Sequence, residues 1–221
     1  MKTSILSLLG LITLVSSPLF AEGGVFKAQV IGSQSELKIK GLEANGFGGS
    51  VSRDLNENDQ KAQIDAVGGG AAIEWNLGDP IRVGAGLGYL QYEADNDRQA
   101  GYSDFRGNVY ASMDILDLEM FDLYALAGLS YHNLSLDDFR SNGVAVSADP
   151  TGLINMDFGA GARFKLSYNS TFGLEYRYTN TFARNDVDLK LSGAGLTAEG
   201  LKYKDVGIEN NEALASLGLV F

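Results

Sequence analysis

His132 is the only histidine of this 221-residue chain, and there is no cysteine. Ser135 follows three residues on, and Asp137 and Asp138 come directly after, so base, hydroxyl and acid lie close together. Nucleophilic catalysis needs base and nucleophile within hydrogen-bond reach, so both side chains must leave the same face of the element carrying them. Absence of cysteine excludes disulfides, thiolate catalysis and Cys-based zinc sites. A single imidazole likewise excludes a multi-histidine metal centre. The run GAGLG at 84–88 has the glycines of a phosphate loop, but no helical pattern follows it, so it cradles no nucleotide. Asp95, Asp97, Asp137, Asp138, Asp186 and Asp188 offer oxygen ligands for loosely held divalent cations. Their spacing matches no calcium loop, and solvated acidic loops are the expectation. No metal, no cofactor and no catalytic residue is expected.

Charge and composition narrow the partners. Lys and Arg number 17 against 28 Asp and Glu, giving −11 and a pI near 4.5. Nucleic acid is excluded as a partner, since its phosphates reward a basic surface. A hydrophobic content of 45% is too high for a disordered chain. Residues 1–21 read as a secretory signal peptide: Lys2, an apolar run over 5–15, then Ala21 before the cut. Removing that segment takes away one base and no acid, leaving a mature domain over 22–221 at −12. Without cysteine, no lipid can be attached to a lipoprotein-type N-terminus. Beyond residue 21, the longest stretch free of Lys, Arg, Asp and Glu is 123–136, 14 residues. A spanning helix needs about 20.

The elements that would carry His132 and the acids alternate strictly. Over 154–166, Ile154, Met156, Phe158, Ala160, Ala162, Phe164 and Leu166 form one set, against Asn155, Asp157, Arg163 and Lys165. Period two over that length is a strand with one apolar face. Residues 172–178 repeat it, and 167–171 between them read as a tight turn. The same grammar predicts strands over 25–31, 63–77, 81–92, 105–115, 121–133 and 212–221. Short turns fall at 76–80, 116–120 and 167–171; long polar connections cover 41–61, 93–104, 137–150 and 184–209. Eight antiparallel strands with short turns at one end and long loops at the other form an all-β transmembrane barrel. Ten strands is the alternative, because 33–54 could extend the first strand past a bulge and add another.

A soluble β-sandwich shares the alternation but not two further features. Gly and Ser crowd the polar face, as a narrow bore requires, and aromatics gather at strand ends, as membrane interfaces favour. In this register the polar face points into the bore. It carries the bases Lys27, Arg82, Arg106, Arg163, Lys165 and Arg177 and the acids Glu74, Asp114, Asp122, Asp157, Glu175 and Glu212. Six against six suggests mutual pairing, since an unpaired buried charge is costly. The bore of eight strands is just wide enough for side chains to fill. His132 points inward and Ser135 outward, so the two do not share a proton.

Several segments resemble small bacterial outer-membrane barrels of the OmpA/OmpX-like and opacity-porin-like families. These are YALAGLSYH (124–132), DFGAGARF (157–164), FGLEYRYT (172–179) and the terminal LASLGLVF (214–221). The resemblance runs from about Gln63 and is better toward the C-terminus. It implies an eight-stranded barrel in the outer membrane, without a shared catalytic activity; no downstream peptidoglycan-binding domain is expected, because the chain stops at the final strand. It also implies that Phe221, with Leu219 and Leu217, forms the signal read by the barrel-assembly machinery.

The expected function is structural or surface-interacting, non-enzymatic, with a charge-paired plugged lumen. The alternative is a porin-like channel for ions or small solutes. A lipid A-modifying enzyme is the less favoured third reading. Expected partners are outer-membrane lipid and lipopolysaccharide (reached in part through cations on the acidic loops), the assembly machinery, and an extracellular ligand bound by the loops. The chain is expected to be a monomer.

Overall fold

The computed structural model describes residues 23–46, 49–54, 61–92, 102–136, 139–141, 144–193 and 196–221. Asp95, Asp97, Asp137, Asp138 and residues 1–21, expected from the sequence to be a signal peptide, lie outside these. Eight long strands are β1 (Gly24–Lys38), β4 (Lys61–Gly78), β5 (Ile81–Tyr92), β6 (Tyr102–Asp117), β7 (Phe121–Leu136), β10 (Thr151–Ser167), β11 (Ser170–Ala183) and β13 (Leu196–Val220). They pair antiparallel in that order, and β13 returns to β1, Val25 opposite Val220 and Lys38 opposite Gly207. The ring is closed, so no edge of it is left unpaired.

Two periodicities explain the closure. Outward residues are apolar over a band: 105–115 on β6, 121–131 on β7 and 154–164 on β10 each run eleven residues. A tilted strand needs roughly 9–11 residues to cross a bilayer core. Phe121, Phe164 and Phe172 mark the turn end of that band, with ring centroids 6.0 and 6.2 Å apart. Tyr89, Phe105, Tyr131 and Tyr176 are exposed toward its other end. Inward residues alternate glycine with bulk. An added Cβ at Gly161 would sit 2.6 Å from the Tyr124 ring and 2.7 Å from the Leu174 carbonyl. The glycine is therefore what lets the Tyr124 ring lie over the neighbouring strand β10.

Five further strands form an extension at the end away from the short turns: β2 (Gly41–Gly46), β3 (Gly49–Asp54), β8 (Phe139–Ser141), β9 (Val144–Ala148) and β12 (Asn185–Gly193). With the first part of β13 they pair in the order β8-β9-β12-β13-β2-β3. Asp205, with φ of 51°, marks the place where β13 passes from the extension into the ring. Aspartate tolerates this left-handed conformation better than most residues.

The sequence reading of 41–61, 137–150 and 184–209 as long loops is therefore corrected, because paired strands occupy much of them. Outside the apolar band both faces can be polar, so backbone pairing leaves no trace in the hydropathy pattern. Nor do the extra strands enlarge the barrel to ten. β1 continues to Lys38 with unbroken register on both sides, rather than past a bulge.

Candidate functional site

The bore collects the ionisable residues. Near the turn end, Glu74 is the hub. Lys27 on β1 forms an ion pair with it, the Arg163 Nη2 donates to Oε2 at 2.9 Å, and the Tyr110 hydroxyl donates to Oε1 at 3.0 Å. Arg82 donates to Asp114 at 2.7 Å, and Lys165 reaches Asp122 at 2.7 Å and Asp117 at 2.8 Å. Lys165 is a rim residue, its side chain 37% exposed. Glu74, Arg82, Asp122, Arg163 and Lys165 line a vestibule of about 340 Å³.

Above them the charges interleave with tyrosine rings. Tyr124 donates to Glu175 at 2.9 Å, and Arg177 donates to the other oxygen of the same carboxylate at 3.0 Å. Arg163 lies 5.1 Å from the Tyr124 ring centre and Arg177 lies 5.5 Å from that of Tyr110. Such placement over an aromatic face favours a cation. Arg106 forms an ion pair with Glu212, both side chains 5% exposed or less. Asp157 accepts from Ser130 at 2.9 Å and from Thr179 at 2.8 Å, so its direct partners are hydroxyls and not a base.

An apolar layer closes the end facing the extension. Ile31, Leu90, Leu134, Leu153, Ile208 and Leu214 pack together with Tyr92 and Tyr102, whose rings stack at 3.9 Å. Ser35 donates to the Tyr92 hydroxyl at 3.0 Å.

All twelve lumen residues named from the sequence lie on the inward face. Reading also missed residues there. Asp104 falls in a stretch whose sequence predicts a loop, yet it is fully buried on β6 and accepts from His132 Nδ1 at 2.7 Å. Its signal was concealed because Ser103, its outward neighbour, stands above the apolar band. Ser135 faces outward, as the alternation predicts, and the hydroxyl beside His132 is Ser130, 3.0 Å from Nε2. Of the acids offered for cations, Asp186 and Asp188 are ion-paired with Lys204 and Lys202. The Lys204 hydrogen bond holds the Asp186 carboxyl below the ordinary aspartate range, against a smaller opposing effect of burial. No metal-holding group of three His, Asp or Glu occurs among the described residues. GAGLG lies within β5, pressed against Tyr110, Asn108 and Arg106.

At the carboxy end, Leu217 and Leu219 point outward and the ring of Phe221 packs on Gly24. The Phe221 amide donates to the Gly24 carbonyl at 3.0 Å, which seals the barrel seam.

A closed antiparallel ring with an apolar outer band and an ionic interior defines a transmembrane β-barrel. The outer membrane protein beta-barrel domain model matches residues 7–221, and the chain belongs to that family of the bacterial outer membrane. Similar solved structures include Neisserial surface protein A, at 14% identity and TM-score 0.51, covering 89% of this chain and 97% of that one. Ail of Yersinia pestis matches at 14% identity and TM-score 0.47, covering 91% and 100%. The outer membrane protease OmpT of Escherichia coli matches at 12% and 0.42, covering 93% and 100%. At such identities the likeness concerns the fold. No curated protein matches the chain. Bacterial outer-membrane barrels carry short periplasmic turns and longer external segments, and the short turns and the extension of this chain follow that pattern.

Proposed function

We propose that this protein is a non-enzymatic surface barrel whose plugged lumen anchors an external β-sheet that meets molecules outside the cell. One observation carries the plug. Glu74 on β4 and Arg163 on β10 join strands four places apart in the ring of eight, and Arg106 on β6 and Glu212 on β13 do the same. Both pairs span the full bore, on crossing lines, and the apolar layer lies beyond them. Water and ions would have to displace buried, paired charges to pass.

The external sheet supports the second half of the reading. Its lysines are matched with carboxylates: Lys190 with Asp149 at 2.7 Å, Lys202 with Asp188 at 3.0 Å, Lys40 with Asp205 at 3.4 Å. A surface of alternating sign suits a protein or a sugar-phosphate layer better than a uniform polyanion. Lipopolysaccharide and an extracellular ligand are the partners in this reading, and a monomer is the unit. The lipid A-modifying reading rested on Ser135, which occupies the opposite face of β7 from His132, and Ser130, which does reach the ring, is buried in the bore away from the lipid face.

Planar bilayers test the plug directly. Purified protein should give no stable conductance steps. Steps of single, reproducible size would overturn it in favour of the channel.

A further inference from the structure

The hydrogen-bond chain at His132 fixes its own proton count. Asp104 Oδ2 lies 2.7 Å from His132 Nδ1, His132 Nε2 lies 3.0 Å from Ser130 Oγ, and Ser130 Oγ lies 2.9 Å from Asp157 Oδ1. All four residues are at most 4% exposed. Three links need three hydrogens. With both acids ionised each only accepts, so Nδ1 must supply the hydrogen to Asp104 and the Ser130 hydroxyl must supply the one to Asp157. Serine has a single hydroxyl hydrogen, and it is spent. The middle link then requires a hydrogen on Nε2. An imidazole carrying hydrogens on both nitrogens is the cation.

Charge counting reaches the same residue independently. Among the described residues the inward acids are Glu74, Asp104, Asp114, Asp122, Asp157, Glu175 and Glu212, seven against six bases. The external half is short by two, since Asp104, Asp157, Glu175 and Glu212 face only Arg106 and Arg177, while the turn half holds one base in excess. His132 sits in that half, directly across from Arg106 in the β6–β7 register. Arg106 is itself engaged by Glu212, and Tyr92 and Tyr102 cover the layer above.

We infer that His132 is a buried imidazolium, the seventh cation of the lumen, held by Asp104 directly and by Asp157 through Ser130. It is in effect a proton-binding site. The bound proton ties β6 to β7 to β10, and Thr179 adds β11 through Asp157. Losing it would break the Nε2–Oγ link and raise the excess of carboxylates in the external half from one to two. The inference rests on the local geometry and holds whether or not the barrel conducts.

A single histidine makes the test direct. Protein labelled with 15N at histidine, folded in detergent micelles at neutral pH, should show two directly bonded N–H protons on the one imidazole. A ring with one protonated nitrogen overturns the inference. Asp104→Asn should convert the ring to the neutral, singly protonated form, with folding of the variant checked by its unheated gel mobility. A folded Asp104→Asn protein that keeps both ring protons would show that this chain does not hold the charge, and would also overturn it.

Discussion

Arg163 donates to Glu74 across the whole width of the barrel, Nη2 to Oε2 at 2.9 Å, from strands that never touch. Lys27 and Tyr110 hold the same carboxylate from two other directions. A buried charge with this many partners is stable only while they remain, because its desolvation is not recovered otherwise.

Glu74→Ala should therefore destabilise the barrel by about 3–5 kcal/mol, the cost of stranding a buried ion's partners. Urea unfolding of the refolded protein in lipid vesicles measures it. A loss below about 1 kcal/mol, typical of an exposed pair, would contradict the buried hub.

Val109 is 58% exposed and lies near the middle of the apolar band on β6. Val109→Arg should cost roughly 2–4 kcal/mol in a bilayer, as for a cation near the midplane. The same unfolding assay reads it, and an unchanged free energy would mean that this face does not meet lipid.

Gly161→Ala should cost about 1–3 kcal/mol, as expected of overpacking. The added methyl meets the Tyr124 ring and a fixed backbone carbonyl, so a rotamer change alone cannot relieve it. Combining it with Tyr124→Leu should recover part of the loss, which a double-mutant cycle would reveal.

The external hairpin of β12 and β13 should loosen in acid before the barrel does. Asp186 has its carboxyl lowered by Lys204 and, to a lesser extent, by the Asp205 amide. A carboxyl depressed in the folded state adds stability above its unfolded value and loses it as pH falls through the folded one. The window is thus below the ordinary aspartate range, and the partial exposure of Asp186 keeps the contribution small. Amide exchange across Val187 and Tyr203 should quicken there, and Asp186→Asn should remove the dependence.

Deleting Phe221 should impair assembly in cells, because it opens the seam to Gly24 and removes the residue that the resemblance implies is read as an assembly signal. Normal outer-membrane amounts of the truncated chain would argue against that role.

The eight ring strands were legible because lipid demands an apolar residue at every second position from Phe121 to Tyr131 and in the matching stretches. Inward orientation followed at once, so Arg163, Glu175 and their companions could be named. Asp104 and the external strands were not legible, since beyond the bilayer neither face of a strand is constrained. Ser130 was passed over for Ser135, although the period of two places Ser130 on the face of His132.

What the sequence determined by itself was the two-faced strand, most of the charges along its inner face and the membrane it must sit in. All of these depend on neighbours two residues apart. Tertiary structure alone decided which charge meets which. Arg163 and Glu74 are 89 residues apart, and only closure of the ring, with its particular stagger, brings them face to face. The proton on His132 is a product of that same closure, because Asp104, Ser130 and Asp157 reach one imidazole from three adjacent strands.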